Sequence, residues 1–501
     1  MTFSSLDRRH FLLALGSTAA IACVPRRGVA LVPDLAHDQN RPEFHLLPPH
    51  NWMNDPNGPI WWKGDYHLFY QLNPHAAIWG DMHWGHAIST DMVHWRHEAI
   101  ALAPTHGGPD SEGCFSGSAV VLKGKPTFIY TGVQNAPPDQ ITLNDGRHKF
   151  RETQMLAIAA DDSLLHWNKM ALPVIAAPPA GMAVTGFRDP CPWQEDDGWY
   201  LGIGSGEPGK GGCVLLYRSH DFRHWEYLHK LVEGKPGKKQ ANNPVASGEM
   251  WECPDFFEVN DRHCLFYSTE GKVIWATGEY DRTTHRFTPQ REGVLDHGEY
   301  YAPKSFLAPD GRRILWGWIR EGRPEAEYAG AGWAGAMSIP RVLTIGQQGQ
   351  LEMKPAHEVE KLRGLAQRAS LAPGQTHRIP LNSLRREIHL VAGLSTRRLS
   401  VQLLTSGTKV WELIIDIPGD SVRCGDIQFA FPNTPRPEPS LRLFLDGSVV
   451  ESFIAEREAL TSRVYGLKSG DSELTISLEG NTTVDVEHWP LNAISPDRLT
   501  T

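Results

Sequence analysis

Short apolar runs broken by polar dipeptides recur through the first two thirds of the chain. Residues 66–70 (Tyr-His-Leu-Phe-Tyr) follow the break Lys63-Gly64, and 120–122 and 127–130 flank Lys123-Gly124. Further along, 192–194 and 199–203 flank Asp197-Gly198, 256–259 and 263–267 flank Asn260-Asp261, and 305–307 and 313–318 flank Asp310-Gly311. Each reads as a β-hairpin: aromatic and branched runs suit strands, and Gly, Asn and Asp tolerate the tight connection between them. The turns recur at intervals of 50 to 74 residues. A unit of that length holding short strands is the sequence form of a propeller blade. Five of them predict a five-bladed β-propeller over residues 40–345.

Counting back nine residues from Gly64, Gly198 and Asp261 reaches Asp55, Asp189 and Glu252. In the other two repeats the count reaches Phe115 and Ala302, beside Ser116 and Tyr301. Three repeats thus place a carboxylate at one register, at the start of the same strand. Blades circling one axis would turn those strand ends to one rim of the channel, so the three acids are expected to share a pocket. One such residue alone is most often a turn or cap; three in phase call for another explanation.

After Arg341 the Trp-rich hairpins fade, and of 17 tryptophans only Trp411 and Trp489 lie beyond Trp333. Residues 346–365 read as a linker, with a short helix or linker turn at 358–363. Apolar alternation then returns at 399–404, 410–417, 441–445, 449–454, 474–478 and 484–489, with Asp446-Gly447 as a turn. This predicts a second all-β domain, a β-sandwich over 366–492.

A length of 501 residues agrees with two cores rather than one. The net charge of −9, with 21% charged residues, provides no basic face for nucleic acid. Near the N-terminus stands Arg8-Arg9-His10-Phe11-Leu12-Leu13, and the apolar stretch from Phe11 to Val24 is too short to span a bilayer. That is the pattern of a twin-arginine export signal over residues 1–30, with Gly28-Val29-Ala30 as its cleavage site. Ala20-Ile21-Ala22-Cys23 is an imperfect lipoprotein-like alternative that would anchor the chain at Cys23. No later segment reaches transmembrane length, so a periplasmic or secreted protein is expected. Seven cysteines show neither metal spacing nor a disulfide framework, and one or two pairings stay open. Cys114, Cys191 and Cys253, beside the expected pocket edge, read as packed thiols.

Gly204-Ser205-Gly206-Glu207-Pro208-Gly209 matches a dinucleotide fingerprint, but Pro208 and the strand-like 213–217 leave no helix to receive a phosphate. It reads as a loop. His83, His86, His94 and His97 suggest metal ligands, yet positions three apart on a strand face opposite sides, and no metal is expected. Ser89-Thr90-Asp91-Met92-Val93-His94-Trp95 is echoed by Asp162-Ser163-Leu164-Leu165-His166-Trp167 and by Ser219-His220-Asp221-Phe222-Arg223-His224-Trp225. These read as outer turns closed by Asp, with the Trp packed between blades.

Three acids beside Trp, Asn and Gln suit glycoside cleavage. One carboxylate attacks the anomeric carbon and another, kept protonated, gives its proton to the leaving oxygen. Crowded carboxylates in a partly desolvated pocket raise at least one pKa. Glu252, between Trp251 and Cys253-Pro254, is the candidate acid. Asp55 is the candidate nucleophile, with Asn51, Asn54 and Asn57 as donors that would keep it ionised. A propeller that only captures sugar is the competing reading, though it has no need of a proton donor beside a nucleophile.

Trp52-Met53-Asn54-Asp55-Pro56-Asn57-Gly58, Phe187-Arg188-Asp189-Pro190 and Trp251-Glu252-Cys253-Pro254-Asp255 resemble the three signature blocks of glycoside hydrolase family 32. Phe69-Tyr70-Gln71-Leu72-Asn73-Pro74, Phe115-Ser116-Gly117-Ser118, Tyr301-Ala302-Pro303-Lys304 and Trp316-Gly317-Trp318 support the likeness, which runs from about Asn51 to Tyr465. The resemblance implies a five-bladed propeller joined to a β-sandwich and a retaining mechanism on β-linked fructosides, without a cofactor. It gives Asp55 as nucleophile, Glu252 as acid/base, and Asp189 with Arg188 as stabiliser and binder of fructosyl hydroxyls. It also gives Asn54, Gln71, Trp79, Phe115, Ser116 and Trp318 as the lining of the terminal fructose site. Two stretches differ slightly from the family pattern, Trp79-Gly80-Asp81-Met82-His83-Trp84 and the pair Ala302-Pro303. The expected enzyme releases terminal non-reducing fructosyl residues, with sucrose the leading substrate. Inulin, levan and transfer to a second sugar stay open.

Overall fold

The computed structural model describes residues 34–495, apart from 145, 236, 394 and 431–438. The export signal expected over 1–30, Cys23 included, lies outside the described residues. Among the described residues no helix is long and apolar enough to cross a membrane.

The hairpin turns form where the sequence supplies residues that accept positive φ. Lys63 and Gly64 (φ 54° and 104°), Lys123 and Gly124 (49° and 78°), and Asn260 and Asp261 (51° and 59°) each make a two-residue turn whose twist matches that of the flanking strands. Each turn joins the innermost strand of a sheet to the next one out. The five inner strands are Asn51–Trp62, Gly113–Leu122, Phe187–Glu195, Glu252–Val259 and Tyr300–Leu307. Each opens its own antiparallel sheet, and consecutive inner strands pack side by side, the last returning against the first. This is a closed five-bladed propeller. A parallel pairing of Asn51 with Trp333 and Trp52 with Ala334 latches the circle. Aromatics fill the seams: Phe69 of the first blade meets Trp167 of the second edge-on at 5.8 Å, and Trp95 meets Trp316 edge-on at 6.0 Å.

The expected outer turns are present, each turned by a residue at positive φ: Met92, Leu164 and Phe222. Asp91 and Asp221 each accept two backbone N–H bonds there. In the middle copy Asp161 and Ser163 exchange places relative to the other two.

Two expectations change. The fifth blade continues past 345: its outer strand, Leu351–Pro355, pairs with Arg341–Ile345 inside the stretch read as a linker. A 3-10 helix, His357–Leu362, follows it. Gly204-Ser205-Gly206 is a strand, within Gly198–Glu207, and only the residues after it turn. Glycine is needed at 204 and 206 because a Cβ would sit 2.3 Å from the Trp251 carbonyl and 2.0 Å from that of Glu249.

Beyond the propeller, two six-stranded antiparallel sheets form the sandwich. One is centred on Arg385–Val391 and Ser440–Asp446, the other on Thr396–Thr405 and Thr408–Asp416. Leu, Ile and Val from both inner faces make its core. Phe444, Phe453 and Trp489 of the sandwich join Leu343 and Met353 of the fifth blade in one apolar cluster, so the two domains share buried surface. Fully buried side chains of this kind contribute about 1.5–3 kcal/mol each. Ionic groups are buried with them. Arg341 bonds Asp296 at 3.0 Å and Glu451, while His45 bridges Asp446 (2.8 Å) and Glu451 (3.0 Å). Burial alone would lower the His45 pKa, but hydrogen bonds and charge from Asp446 and Glu451 raise it to about 9. Asp446 also accepts the backbone N–H groups of Glu43, Phe44 and His45, strapping the N-terminal arm onto the sandwich.

Candidate active site

Every inner strand carries a β-bulge near its start. The breaks fall between Met53 and Pro56, Cys114 and Gly117, Arg188 and Cys191, Glu252 and Asp255, and Tyr301 and Lys304. A bulge leaves an extra residue unpaired and re-aims the side chains around it. In three blades its first residue has positive φ: Asp189 (64°), Cys253 (47°) and Ala302 (49°). The bulge corrects the register expected from counting. Glu252 is the last paired residue before its bulge, Asp189 the first within one, and Asp55 the second. The count slipped because the first strand carries another irregularity between Asn57 and Ile60, and because Gly198 pairs with Glu195 rather than turning.

The three acids nonetheless meet, and Cys253 is the hub. Its thiol lies 3.4 Å from Asp55 Oδ2 and 3.5 Å from Asp189 Oδ2, and its backbone N–H donates to Asp189 at 2.9 Å. Burial, and then the charges of Asp189 and Asp55, push the thiol pKa well up, so it stays a donor. Cys253 is therefore more than packing. Arg188 spans the pocket wall, donating to Glu152 Oε1 and Glu252 Oε1, each at 2.8 Å, with Nε 4.0 Å from Asp189. Tyr301 donates to the other Glu252 oxygen at 2.6 Å.

Asp55 accepts from Ser116 at 2.6 Å and Asn54 at 3.1 Å. Of the three asparagines expected around it, only Asn54 reaches it. Asn51 donates to the Pro74 carbonyl, and Asn57 accepts from the Gly117 N–H; the bulge at Asn54-Asp55 breaks the alternation that would otherwise put Asn51 and Asn57 on the Asp55 face. Burial raises the Asp55 pKa against the hydrogen bonds of Ser116 and Asn54. Burial raises Asp189 to about 7, opposed by Arg188 and reinforced by Asp55 and Glu252. Glu252 is more open than Asp189, its side chain 31% exposed against 4%.

Trp52 lies against Trp318 and donates to Asn54, and Trp79 (37% exposed) stands edge-on to Phe115 at the rim. Gln71 is buried, its amide donating to the Cys114 carbonyl beside Phe115, so it reaches the site through the backbone it holds. Sequence reasoning missed Glu152, fully buried on the strand Lys149–Ala159, which fixes Arg188 and accepts the Phe187 N–H. No motif marks it. The four histidines set aside as ligands do not converge: His86 pairs with His67, His97 with Tyr70, His94 with Asp91, and His83 with the Asp81 carbonyl. The six described cysteines are all free of disulfides and buried.

A propeller that gathers three acids, an arginine and a tyrosine at its channel mouth has the architecture of a glycosidase. Residues 45–355 match the glycosyl hydrolases family 32 N-terminal domain and residues 422–490 the family's C-terminal domain; the chain belongs to family 32. A sucrose-6-phosphate hydrolase of Escherichia coli is 37% identical over 85% of this chain and 89% of its own length. A β-fructofuranosidase of Bombyx mori, solved as a mutant in complex with sucrose, superposes with a TM-score of 0.76 at 29% identity, covering 91% of this chain and 95% of that one. A variant of fructan 1-exohydrolase IIa from Cichorium intybus, in complex with 1-kestose, gives 0.74 at 28% identity over 91% and 98%.

Proposed function

We propose that this chain is a retaining β-fructofuranosidase that releases terminal fructosyl residues from the non-reducing ends of sucrose or fructans. Asp55 attacks the anomeric carbon, and Glu252 gives a proton to the leaving oxygen and later takes one from the incoming water. Asp189 and Arg188 bind fructosyl hydroxyls and steady charge as the oxocarbenium character grows. Asn54, Gln71, Trp79, Phe115, Ser116 and Trp318 shape the terminal fructose site. The observation that carries this reading is the union of Asp55, Asp189 and Glu252, from three separate blades, around Cys253 and Arg188. The sucrose- and kestose-bound relatives supply the substrate class.

The test is a panel of sucrose, sucrose 6-phosphate, inulin and levan, with products separated by chromatography. Free fructose from sucrose is expected to appear fastest. Longer oligosaccharides accumulating in concentrated sucrose would make the chain a fructosyltransferase, and sugar binding without turnover would overturn the enzyme reading. We further infer that the Arg8-Arg9 leader exports the protein to the periplasm or beyond. Fractionating cells that carry Arg8→Lys with Arg9→Lys checks this: the activity should stay in the cytoplasm.

A further inference from the structure

The loop joining Asp65–Asn73 to His83–Ser89 carries Trp79 at its tip, and its two legs carry His75 and Asp81. His75 Nε2 lies 3.1 Å from Asp81 Oδ2, and the rings of His75 and His83 are edge-to-face with centroids 5.8 Å apart. One ligand atom from each of His75, Asp81 and His83 lies within 4.8 Å of the other two. Among the described residues this is the one such group of three.

We propose that His75, Asp81 and His83 form a binding site for a divalent transition metal ion of the zinc type. Metal–nitrogen and metal–oxygen bonds of about 2.0–2.2 Å around a tetrahedral centre put ligand atoms roughly 3.3 Å apart, close to the His75–Asp81 separation. His83 Nδ1 sits 2.7 Å from the Asp81 carbonyl oxygen. It also lies 3.9 Å from Asp81 Oδ1, so the His83 ring faces the same carboxylate that meets His75. The backbone is bent to suit: Asp81 holds φ 46° after Gly80 at 141°. His75 and Asp81 are exposed, so the fourth position opens to water. Other surface pairs, such as His94–Asp91 and His224–Asp221, join residues three apart within one turn. Here imidazoles from both ends of a loop converge on one carboxylate. Asp81 and His83 also lie in one of the two stretches in which the sequence differs slightly from the family pattern. A bound ion would tie the two legs of the Trp79 loop to each other.

The experiment strips the full-length protein with a chelator, titrates it with zinc sulfate by calorimetry, and counts retained zinc by atomic emission after dialysis. One equivalent is expected, with His75→Ala and Asp81→Asn each binding roughly tenfold or more weakly. Their metal-free melting temperatures should match that of the wild type, which excludes misfolding as the cause. Zinc that the wild type fails to retain, or that both variants bind undiminished, would overturn the site.

Discussion

Tyr301 donates a 2.6 Å hydrogen bond to Glu252 Oε2 across the seam between the fifth and fourth blades. Arg188 of the third blade holds the other oxygen, so the side chain proposed to move the proton is fixed from both sides. Burial, and then the Glu252 charge, push the Tyr301 pKa upward, which keeps the phenol a donor throughout the working pH range.

The division of labour between acids separates on an activated substrate. Asp55→Asn should lose about four or more orders of magnitude in kcat on sucrose and on a fructoside whose leaving group needs no proton. Glu252→Gln should be as poor on sucrose yet form the covalent intermediate with the activated fructoside, seen as a burst. Equal loss of the two variants on the activated fructoside would overturn this division of labour.

Glu152→Gln removes the charge that anchors Arg188 from beneath. A hydrogen bond to a charged group contributes about 1.5–3 kcal/mol, so the melting temperature should fall. kcat/KM should drop further than Tm alone accounts for, because Arg188 loses its fixed reach to Glu252. Tm and steady-state kinetics on one preparation check both.

Asp189 has a folded pKa of about 7 against 3.8 unfolded, raised by burial. The folded state therefore holds this proton more tightly. The associated stability is present below pH 3.8 and is lost as pH rises through 7. Asp189→Asn should accordingly gain stability over the wild type above pH 7, by urea unfolding, while its activity collapses. An ionisation near 7 in the wild-type kcat/KM profile should be missing from its residual activity.

His45 carries the same sign for a different reason. Burial opposes its charge, but Asp446 and Glu451 lift its pKa from 6.5 to about 9. Its contribution, up to about 3 kcal/mol, is complete below pH 6.5 and disappears as pH passes 9. His45→Gln should flatten the stability curve across that window without changing the pH dependence of catalysis.

The blades were legible because their turns are chemical: Gly, Asn and Asp take up positive φ readily, and they stand in the Lys-Gly and Asn-Asp pairs. In the sandwich, strands with a clean apolar alternation were readable, such as Ser472–Gly480 with Leu474, Ile476 and Leu478 on one face. Gln367–Leu371 and Thr376–Pro380 were not, being polar edge strands with one buried position each. Arg385–Val391 hid for the opposite reason, since its buried Glu387 is satisfied by Arg363 and Arg442 from elsewhere in the chain. The same limit conceals Glu152, whose role exists only once the second and third blades touch. Bulges defeat residue counting, which is why the acids were found together though their exact register was not.

The parallel latch of Asn51–Trp52 on Trp333–Ala334 sets an order of assembly. Emerging from a ribosome, the chain has all its acids before it has the strand Tyr300–Leu307 that closes the ring or the Trp333–Ala334 pair that latches it. Cutting instead at an exposed hairpin such as 123–124, and joining the natural ends through a linker, would leave that latch intact and move the last-made blade elsewhere.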